Sequence, residues 1–228
     1  MKAQDLHIIY FAGGCFWGVE HYFKQVRGVV ETQAGYANGN RARPDYEEVC
    51  TGRTGFAETV RVTFDATQVD LDLLLQLYFK AIDPTSLNRQ GGDAGSQYRT
   101  GIFFTDPQDE AKARQALDEL AKQYADPIVV ELLPLKNFYA AEDYHQDYLD
   151  KNPDGYCHIS YEEMDKVRKM FATEIEDNEY KQTETDDQLF CRIGAQAFDV
   201  VKKAGTERPY SGQYNDFFEK GLYVDIVS

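Results

Sequence analysis

The sequence lacks any apolar run close to the roughly 18 residues that a membrane-spanning helix needs, and its mean hydropathy is -0.56. Its first residues also lack the apolar stretch and cleavage site of a signal peptide. Basic residues are scarce, with 24 Lys and Arg against 39 Asp and Glu, so the net charge of -15 repels phosphate backbones and anionic lipid surfaces. We therefore expect a cytoplasmic protein without a membrane or nucleic-acid partner.

Cysteine is also sparse. The four cysteines are Cys15, Cys50, Cys157 and Cys191, and no two of them form a Cys-x-x-Cys pair. That spacing excludes the usual structural zinc site, and the number is too small for a secreted disulfide scaffold. We expect no metal, and each cysteine is either buried and inert or reactive.

The pattern of apolar residues predicts alternating strands and helices from residue 7 to residue 133. The predicted strands are 7–12, 58–64, 100–105 and 128–133, and the predicted helices begin at Cys15, Leu71 and Pro107. Strand 58–64 alternates apolar and polar residues, which is typical of a half-exposed strand. This alternation indicates an α/β or α+β sandwich with helices packed on a sheet. Two stretches without a regular pattern, 34–55 and 84–98, are long enough to be functional loops.

The composition changes towards the C-terminus. Residues 173–188 are strongly acidic and contain few apolar side chains, which predicts a solvated linker. Residues 189–228 follow as a short segment near the lower size limit for independent folding. We therefore divide the chain into a domain at 1–172, a linker at 173–188 and a terminal segment at 189–228.

Cys15 is the first candidate for chemistry because it follows Gly13 and Gly14 where the predicted strand turns into a helix. The unpaired N–H groups and the dipole at a helix N-terminus lower a thiol pKa and favour the nucleophilic thiolate. Phe16 and Trp17 come next, and at least one of these rings should line an open apolar surface beside the sulfur. The alternative is a buried structural cysteine among core aromatic residues.

Residues 14–20 (GCFWGVE) resemble the catalytic signature of the peptide methionine sulfoxide reductase A family, and the resemblance extends from residue 7 to about residue 159. The other matching segments are 46–50 (YEEVC), 55–58 (GFAE), 83–91 (DPTSLNRQG), 92–99 (GDAGSQYR), 141–146 (AEDYHQ) and 155–157 (GYC). The resemblance implies a mixed sheet with packed helices around a ferredoxin-like core, with long functional loops. It implies an enzyme that reduces the S epimer of methionine sulfoxide in proteins and as the free amino acid.

The resemblance also assigns roles to individual residues. Cys15 would be the nucleophile, and Phe16 and Trp17 would form a slot for the methyl group. The sulfoxide oxygen would face Glu58, Tyr46 and Tyr98, while Asp93 would hold the loop and its solvent. Glu58 can donate a proton near neutral pH only if burial raises its pKa.

The second half of the catalytic cycle is implied in the same way. Cys157 matches the recycling cysteine, which would form a disulfide with Cys15 after the sulfenic acid stage, and thioredoxin or another dithiol would then reduce that disulfide. No other cofactor is expected. Cys50, which follows Val49, is interpreted as structural, and Cys191 has no matched role. Many relatives have histidine at the position of Phe56, which we expect to desolvate Glu58 and change the pH profile.

Residues 206–212 (TERPYSG) and 221–227 (GLYVDIV) resemble the opening of methionine-R-sulfoxide reductase B. That family's zinc and catalytic cysteines are not in this sequence, so the chain is either the front part of a bifunctional protein or carries a remnant with another use. Two other hypotheses concern the main domain. One is a Cys–His acyl-transfer hydrolase that uses Cys15 and His145, and the other is a peptide-binding module without catalysis.

Overall fold

The computed structural model describes residues 5–171, and its centre is a mixed sheet. The strands are β1 (Leu6–Gly13), β2 (Val29–Ala37), β3 (Ala57–Asp65), β4 (Arg89–Gln90), β5 (Asp93–Ala94), β6 (Thr100–Phe104), β7 (Glu131–Pro134) and β8 (Phe138–Ala140). Six of them form the sheet in the order β7-β6-β1-β3-β2-β8, and β4 and β5 form a separate two-stranded hairpin. All pairs in the large sheet are antiparallel except β6 with β7.

Six helices complete the described part of the chain. They are α1 (Phe16–Lys24), α2 (Tyr46–Cys50), α3 (Leu71–Ala81), α4 (Pro107–Ala121), α5 (Tyr148–Lys151) and α6 (Tyr161–Phe171). Helix α1 connects β1 to β2, and α3 connects β3 to β6, which gives the β-α-β-β-α-β order of a ferredoxin-like core. The predicted α+β sandwich with a ferredoxin-like core is therefore confirmed.

Aromatic packing holds α1 and α3 against β1. The ring of Phe11 stacks on Phe23 from α1 at 4.9 Å and on Tyr78 from α3 at 4.7 Å. The hydroxyl of Tyr78 donates a hydrogen bond of 2.7 Å to the carbonyl oxygen of Ala12. These contacts fix the start of α1 relative to the end of β1.

The prediction that strand 58–64 is half-exposed is wrong. Thr59 and Thr63 lie on the polar side of the alternation and are buried as well. A second, smaller apolar cluster covers that face of the sheet, in which Phe103 packs with partly buried side chains such as Phe138. The alternation therefore separates two buried environments rather than core from solvent.

The stretches interpreted as unpatterned loops contain more regular structure than expected. Strand β2 begins before 34–55 and continues into it, and α2 lies within that stretch, while 84–98 contains the β4–β5 hairpin. Helix α1 ends at Lys24 and α4 ends at Ala121. Strand β7 begins at Glu131, three residues later than the predicted strand 128–133. The predicted linker 173–188 and the segment 189–228 lie outside the described residues, so the domain boundaries stay predictions.

Candidate active site

The turn between β1 and α1 places Cys15 as the residue that precedes the first turn of the helix. Gly14 has a φ of +84°, and a β-carbon at this position would lie 2.6 Å from Cβ of Gln90. Only glycine allows this backbone conformation without strain and this close approach. Gln90 is fixed in turn, because its side-chain amide exchanges two hydrogen bonds of 2.8 Å with the backbone of Asp83. The glycine pair thus allows the turn that carries Cys15 to pack closely against residues 83–90.

Glu58 projects from β3 to the start of α1. Its carboxylate Oε2 accepts a hydrogen bond of 3.1 Å from the backbone N–H of Phe16, and the side chain is only 1% exposed. The pKa of Glu58 is raised to about 8, mainly by burial and in part by the nearby charge of Asp93, while the Phe16 N–H favours the ionised form and acts in the opposite direction. A large fraction of this carboxyl is therefore protonated at neutral pH, as proton donation requires.

The expectation that the helix N-terminus lowers the pKa of Cys15 is wrong for this structure. The backbone N–H of Trp17 does favour the thiolate, but burial raises the pKa of the thiol well above its ordinary value, and the charge of Glu58 raises it further. Desolvation penalises the charged form more strongly than the helix terminus stabilises it. Cys15 is buried, with 7% of the residue exposed.

Phe16 and Trp17 differ in their exposure. Phe16 is 1% exposed, with its ring 5.0 Å from His145. Trp17 is half-buried, and it stacks on Tyr148 with ring centroids 3.7 Å apart. Its indole N–H donates a hydrogen bond of 3.0 Å to Nδ1 of His145. Trp17 is therefore the ring that meets solvent beside Cys15, and Phe16 is the buried one.

His145 is used to hold Trp17. Because Nδ1 accepts the indole N–H, a neutral ring carries its proton on Nε2, which lies 4.0 Å from Oε2 of Glu142. Burial lowers the pKa of His145, and Glu142 is itself engaged by the hydroxyl of Tyr36 and the backbone N–H of Tyr46. The lone pair that a general base needs is occupied, which disfavours the Cys–His hydrolase.

Two tyrosines lie close enough to Glu58 to respond to its charge. Burial raises the pKa of Tyr46 and of Tyr98, and the Glu58 charge raises both further, so each phenol keeps its proton. Tyr46 is the first residue of α2 and Tyr98 the last residue of a short 3-10 turn, so neither lies on an irregular loop. Cys50 is exposed rather than buried with Val49, and its sulfur lies beside the Tyr46 hydroxyl.

Asp93 lies on β5 and influences both catalytic candidates. Its charge raises the pKa of Glu58 and of Cys15. Its Oδ2 is buried and has no hydrogen-bond partner within residues 5–171. On the same hairpin, the backbone N–H of Gly92 donates a hydrogen bond of 3.1 Å to the hydroxyl of Tyr156. The hairpin thus connects the sheet side of the site to the segment that carries Cys157.

Cys157 lies against α1 at Gly18, which is one helical turn after Cys15. A β-carbon on Gly18 would lie 2.8 Å from Sγ of Cys157, so the sulfur rests directly on the backbone of α1. Cys157 is half-buried, and burial raises its pKa. The cysteines of the described residues are all free thiols. The structure thus brings the predicted recycling cysteine to the same helix that begins at the predicted nucleophile.

Two residues of the site had no assigned role in the sequence analysis. Gln90 lies in a quoted motif and supports Gly14, and His158 follows Cys157 directly and packs against Gly14 and Gly18. The available signals were a polar residue directly before the Gly91–Gly92 pair and a histidine next to a cysteine. Phe56 is buried, with its ring on Gly39 and edge-on to Tyr139 at 5.9 Å. Its expected effect on Glu58 stays a prediction, and Cys191 lies outside the described residues.

No cluster of three or more His, Cys, Asp or Glu side chains in the described part of the chain could hold a metal ion. Within the same residues, no helix is both long and apolar enough to cross a membrane.

Comparison with known proteins identifies the family. Residues 7–179 match the family model of peptide methionine sulfoxide reductase. The reduced form of Mxr1 from Saccharomyces cerevisiae is 37% identical, with a TM-score of 0.66, over 69% of this chain and 94% of that one. Methionine sulfoxide reductase A of Corynebacterium diphtheriae is 43% identical, with a TM-score of 0.65, over 67% and 77% of the two chains. The chain belongs to the peptide methionine sulfoxide reductase family, and it is an oxidoreductase that reduces methionine sulfoxide.

Proposed function

We propose that this enzyme reduces the S epimer of methionine sulfoxide, in proteins and as the free amino acid, by attack of the Cys15 thiolate on sulfur. The observation that carries the proposal is the pairing of Cys15 with a buried carboxylic acid. Glu58 hydrogen-bonds the first N–H of the helix that Cys15 precedes, and its pKa of about 8 leaves it able to donate a proton at neutral pH.

In the first step, the Cys15 thiolate attacks the sulfoxide sulfur while Glu58 protonates the oxygen. The resulting hydroxyl group then moves to the Cys15 sulfur as the bond between the two sulfur atoms breaks, so Cys15 becomes a sulfenic acid and the product is methionine. The thiolate and the carboxylic acid together hold one proton, which is the same number as a thiol beside a carboxylate. When Glu58 is ionised, a proton shift from the thiol to the carboxylate therefore produces the reactive form. When both groups are protonated, as burial favours at neutral pH, one proton must first leave for solvent.

The remaining site residues bind and orient the sulfoxide. The phenols of Tyr46 and Tyr98 keep their protons and supply two further hydrogen-bond donors for the oxygen. Phe16 and Trp17 form the apolar slot for the methyl group. The buried ring of Phe16 forms the bottom of the slot, and the half-buried ring of Trp17 forms its solvent-facing side. Asp93 fixes the hairpin beside them. Donors on one side and rings on the other distinguish the two epimers at sulfur.

Recycling uses Cys157 and an external dithiol, with no other cofactor. Cys157 condenses with the sulfenic acid of Cys15 and releases water, and thiol–disulfide exchange with thioredoxin then restores both thiols. Cys157 lines a surface cavity of about 510 Å³ together with Leu149, Ile159 and Met164, which gives an incoming thiol access to its sulfur. Dependence on a dithiol reductant fits a reducing compartment, and we propose the cytoplasm.

The test offers the separated S and R epimers of a methionine sulfoxide peptide to the wild type and to Cys15→Ser, Cys157→Ser and Cys191→Ser. We expect the wild type to reduce only the S epimer and Cys15→Ser to reduce neither. Cys157→Ser should release a single methionine per chain and then lose thioredoxin-driven turnover. Cys191→Ser is the matched control, because this cysteine lies outside residues 7–179.

Four outcomes would contradict the proposal. Reduction of the R epimer would contradict the assigned stereochemistry. Full thioredoxin-driven turnover by Cys157→Ser would remove this cysteine from the cycle. Ester or amide cleavage by the wild type without a reductant would favour the hydrolase, while sulfoxide binding without methionine release would favour a binding module.

A further inference from the structure

His158 is a buried imidazole for which the reaction described above has no use. A β-carbon on Gly14 would lie 3.2 Å from its Cε1, and one on Gly18 would lie 3.5 Å from its Nδ1 and Cε1. The ring therefore spans from the residue before Cys15 to the glycine on which Cys157 rests. Both ring nitrogens are buried, and neither makes a hydrogen bond of normal geometry within the described residues, although the carbonyl of Gly13 lies near the ring. A buried polar group without a partner is costly and calls for an explanation.

The disulfide step needs a base at this position. Burial raises the pKa of Cys157, so this thiol is protonated at neutral pH, whereas the nucleophile that forms a disulfide is the thiolate. The hydroxyl of the sulfenic acid on Cys15 is also a poor leaving group as hydroxide, and it leaves readily only when it gains a proton and departs as water. One group that takes a proton from Cys157 and delivers it towards Cys15 satisfies both needs.

We propose that His158 is the general base and general acid of the disulfide step, an inference that rests on the proposed roles of Cys15 and Cys157. The neutral imidazole takes the proton of the Cys157 thiol, and the thiolate attacks the sulfur of the Cys15 sulfenic acid. The S–S bond forms as the S–O bond breaks, and the imidazolium gives its proton to the departing hydroxide. Water leaves, His158 is neutral again, and no outside oxidant or reductant takes part.

The surroundings keep the ring in the form that this role requires. Burial lowers the pKa of His158 below its usual value, so the ring is neutral and carries a free lone pair at neutral pH. The charge of Asp93 and the carbonyl of Gly13 oppose this effect, and they stabilise the imidazolium once it forms. The other titratable groups on this side of the site are the thiols of Cys15 and Cys157 and the hydroxyl of Tyr156, which holds the hairpin at Gly92.

Other groups around Cys157 are less suited to the role. His21 also lines the Cys157 cavity, but its Nδ1 is paired with Oδ1 of Asp150 at 2.8 Å and the side chain is more than a third exposed. Glu58 is proposed as the acid of the first step, and once it has given up its proton it no longer has one to deliver to the hydroxide. His158 combines a lone pair and burial with a position against Gly14, which precedes Cys15, and Gly18, on which Cys157 rests.

The experiment separates the two chemical steps in His158→Gln. Enzyme is mixed with the S-sulfoxide peptide without a reductant, methionine release is measured by chromatography, and disulfide formation is followed by acid quench and mass spectrometry. We expect methionine release at the wild-type rate and disulfide formation slower by on the order of 10²–10⁴-fold. Accumulated sulfenic acid should be trapped by dimedone in the variant and not in the wild type.

The pH profile distinguishes catalysis from a structural role. Disulfide formation in the wild type should be level near neutral pH and fall in acid as His158 becomes protonated. In His158→Gln the rate should rise about tenfold per pH unit, because solvent must then remove the thiol proton. Tyr156→Phe is the structural control, since it loosens the same segment and keeps the imidazole. It should retain the wild-type profile even if its rate is lower.

The other outcomes would each contradict a different one of the proposed roles. A His158→Gln profile parallel to that of the wild type, or an unchanged rate of disulfide formation, would overturn the proposal. A wild type that releases no methionine would instead contradict the role of Cys15. A wild type that releases methionine but forms no Cys15–Cys157 disulfide would contradict the role of Cys157.

Discussion

The two halves of the active site are built differently. Cys15 and Glu58 belong to the sheet and its first helix, where strand pairing, aromatic stacking and the Phe16–Glu58 hydrogen bond fix their positions. Cys157 and His158 lie on the segment between α5 and α6, whose backbone has few hydrogen bonds to the sheet and which rests on glycines of α1 and of the β4–β5 hairpin. Fixed positions suit the two residues of the first, rigid half, which act on the sulfoxide. A segment held mainly by side-chain packing suits Cys157, which has to react first with Cys15 and then with the external dithiol.

The largest effect should come from removing the acid of the rigid half. Glu58→Gln should slow methionine release by on the order of 10²–10⁴-fold, because the oxygen then leaves without its proton. The same change should make Cys15 more reactive towards iodoacetamide above pH 8. Burial is the main cause of the raised thiol pKa and remains, but the negative charge of Glu58 also raises it and would be gone.

These opposite shifts can be measured on one protein, by methionine release and by alkylation rate against pH. An isosteric amide leaves the fold intact, so thermal unfolding serves as the control. Methionine release and alkylation that fell together would indicate damage to the Cys15 environment instead of loss of an acid.

The second effect tests the surface that supports the other half. Gly18→Ala would place a β-carbon 2.8 Å from Sγ of Cys157, too close for the sulfur to stay. Displacing it should slow disulfide formation roughly tenfold to hundredfold, while methionine release in the first turnover stays at the wild-type rate. The helix itself should not suffer, since alanine is favoured over glycine in a helix by roughly 0.5–1 kcal/mol.

Thiol content after a single turnover gives the readout for Gly18→Ala. The expected behaviour is that of Cys157→Ser in a chain that retains the cysteine. Disulfide formation at the wild-type rate would mean that Cys157 approaches Cys15 from a direction that does not pass over Gly18.

The sequence predicts the rigid half better than the other half. The helix starts at Asp70 and Asp106 follow from local capping, since each side chain accepts a hydrogen bond from a backbone N–H in the first turn of its helix. Strand β2 was missed because its residues Val29–Ala37 run from exposed to fully buried along the strand, which gives no simple alternation. A sequence pattern reflects only the burial of residues within one strand or helix. Strand β2 is instead defined by its pairing with β3 and β8, which the pattern does not show.

The electrostatics of the site could not be read from the sequence for the same reason. The helix start next to Cys15 is a local feature and was predicted, whereas the burial that reverses its effect on the thiol pKa depends on elements far along the chain. Likewise, the carboxyl of Glu58 is buried because β3 pairs between β1 and β2 and directs it under α1. The role of His158 needs the contact between residues 158 and 18, which no motif contains.

The smallest effect concerns the contact between α1 and the start of α5, the helix that precedes the Cys157 segment. Glu20 on α1 is 1% exposed, its Oε2 accepts a hydrogen bond of 2.8 Å from the backbone N–H of Asp147, and its Oε1 has no partner among the described residues. Burial raises the pKa of Glu20 from 4.5 to about 7. Because the folded-state pKa is the higher one, this group's contribution to stability is fully present below about pH 4.5 and is lost as the pH rises to about 7.

Glu20→Gln should therefore flatten the pH dependence of stability. Relative to the wild type, its free energy of unfolding should rise by roughly 1–3 kcal/mol between pH 4.5 and pH 8 in urea titrations. The matched control is Asp150→Asn, which weakens a joint between α5 and the exposed Lys24 and His21 on α1. Such surface ion pairs contribute about 0–1 kcal/mol, so this variant should change stability little. A difference in unfolding free energy between Glu20→Gln and the wild type that stayed constant at all pH values would mean that Glu20 stays ionised. Its hydrogen bond with Asp147 would then be accepted by a carboxylate instead of a carboxylic acid.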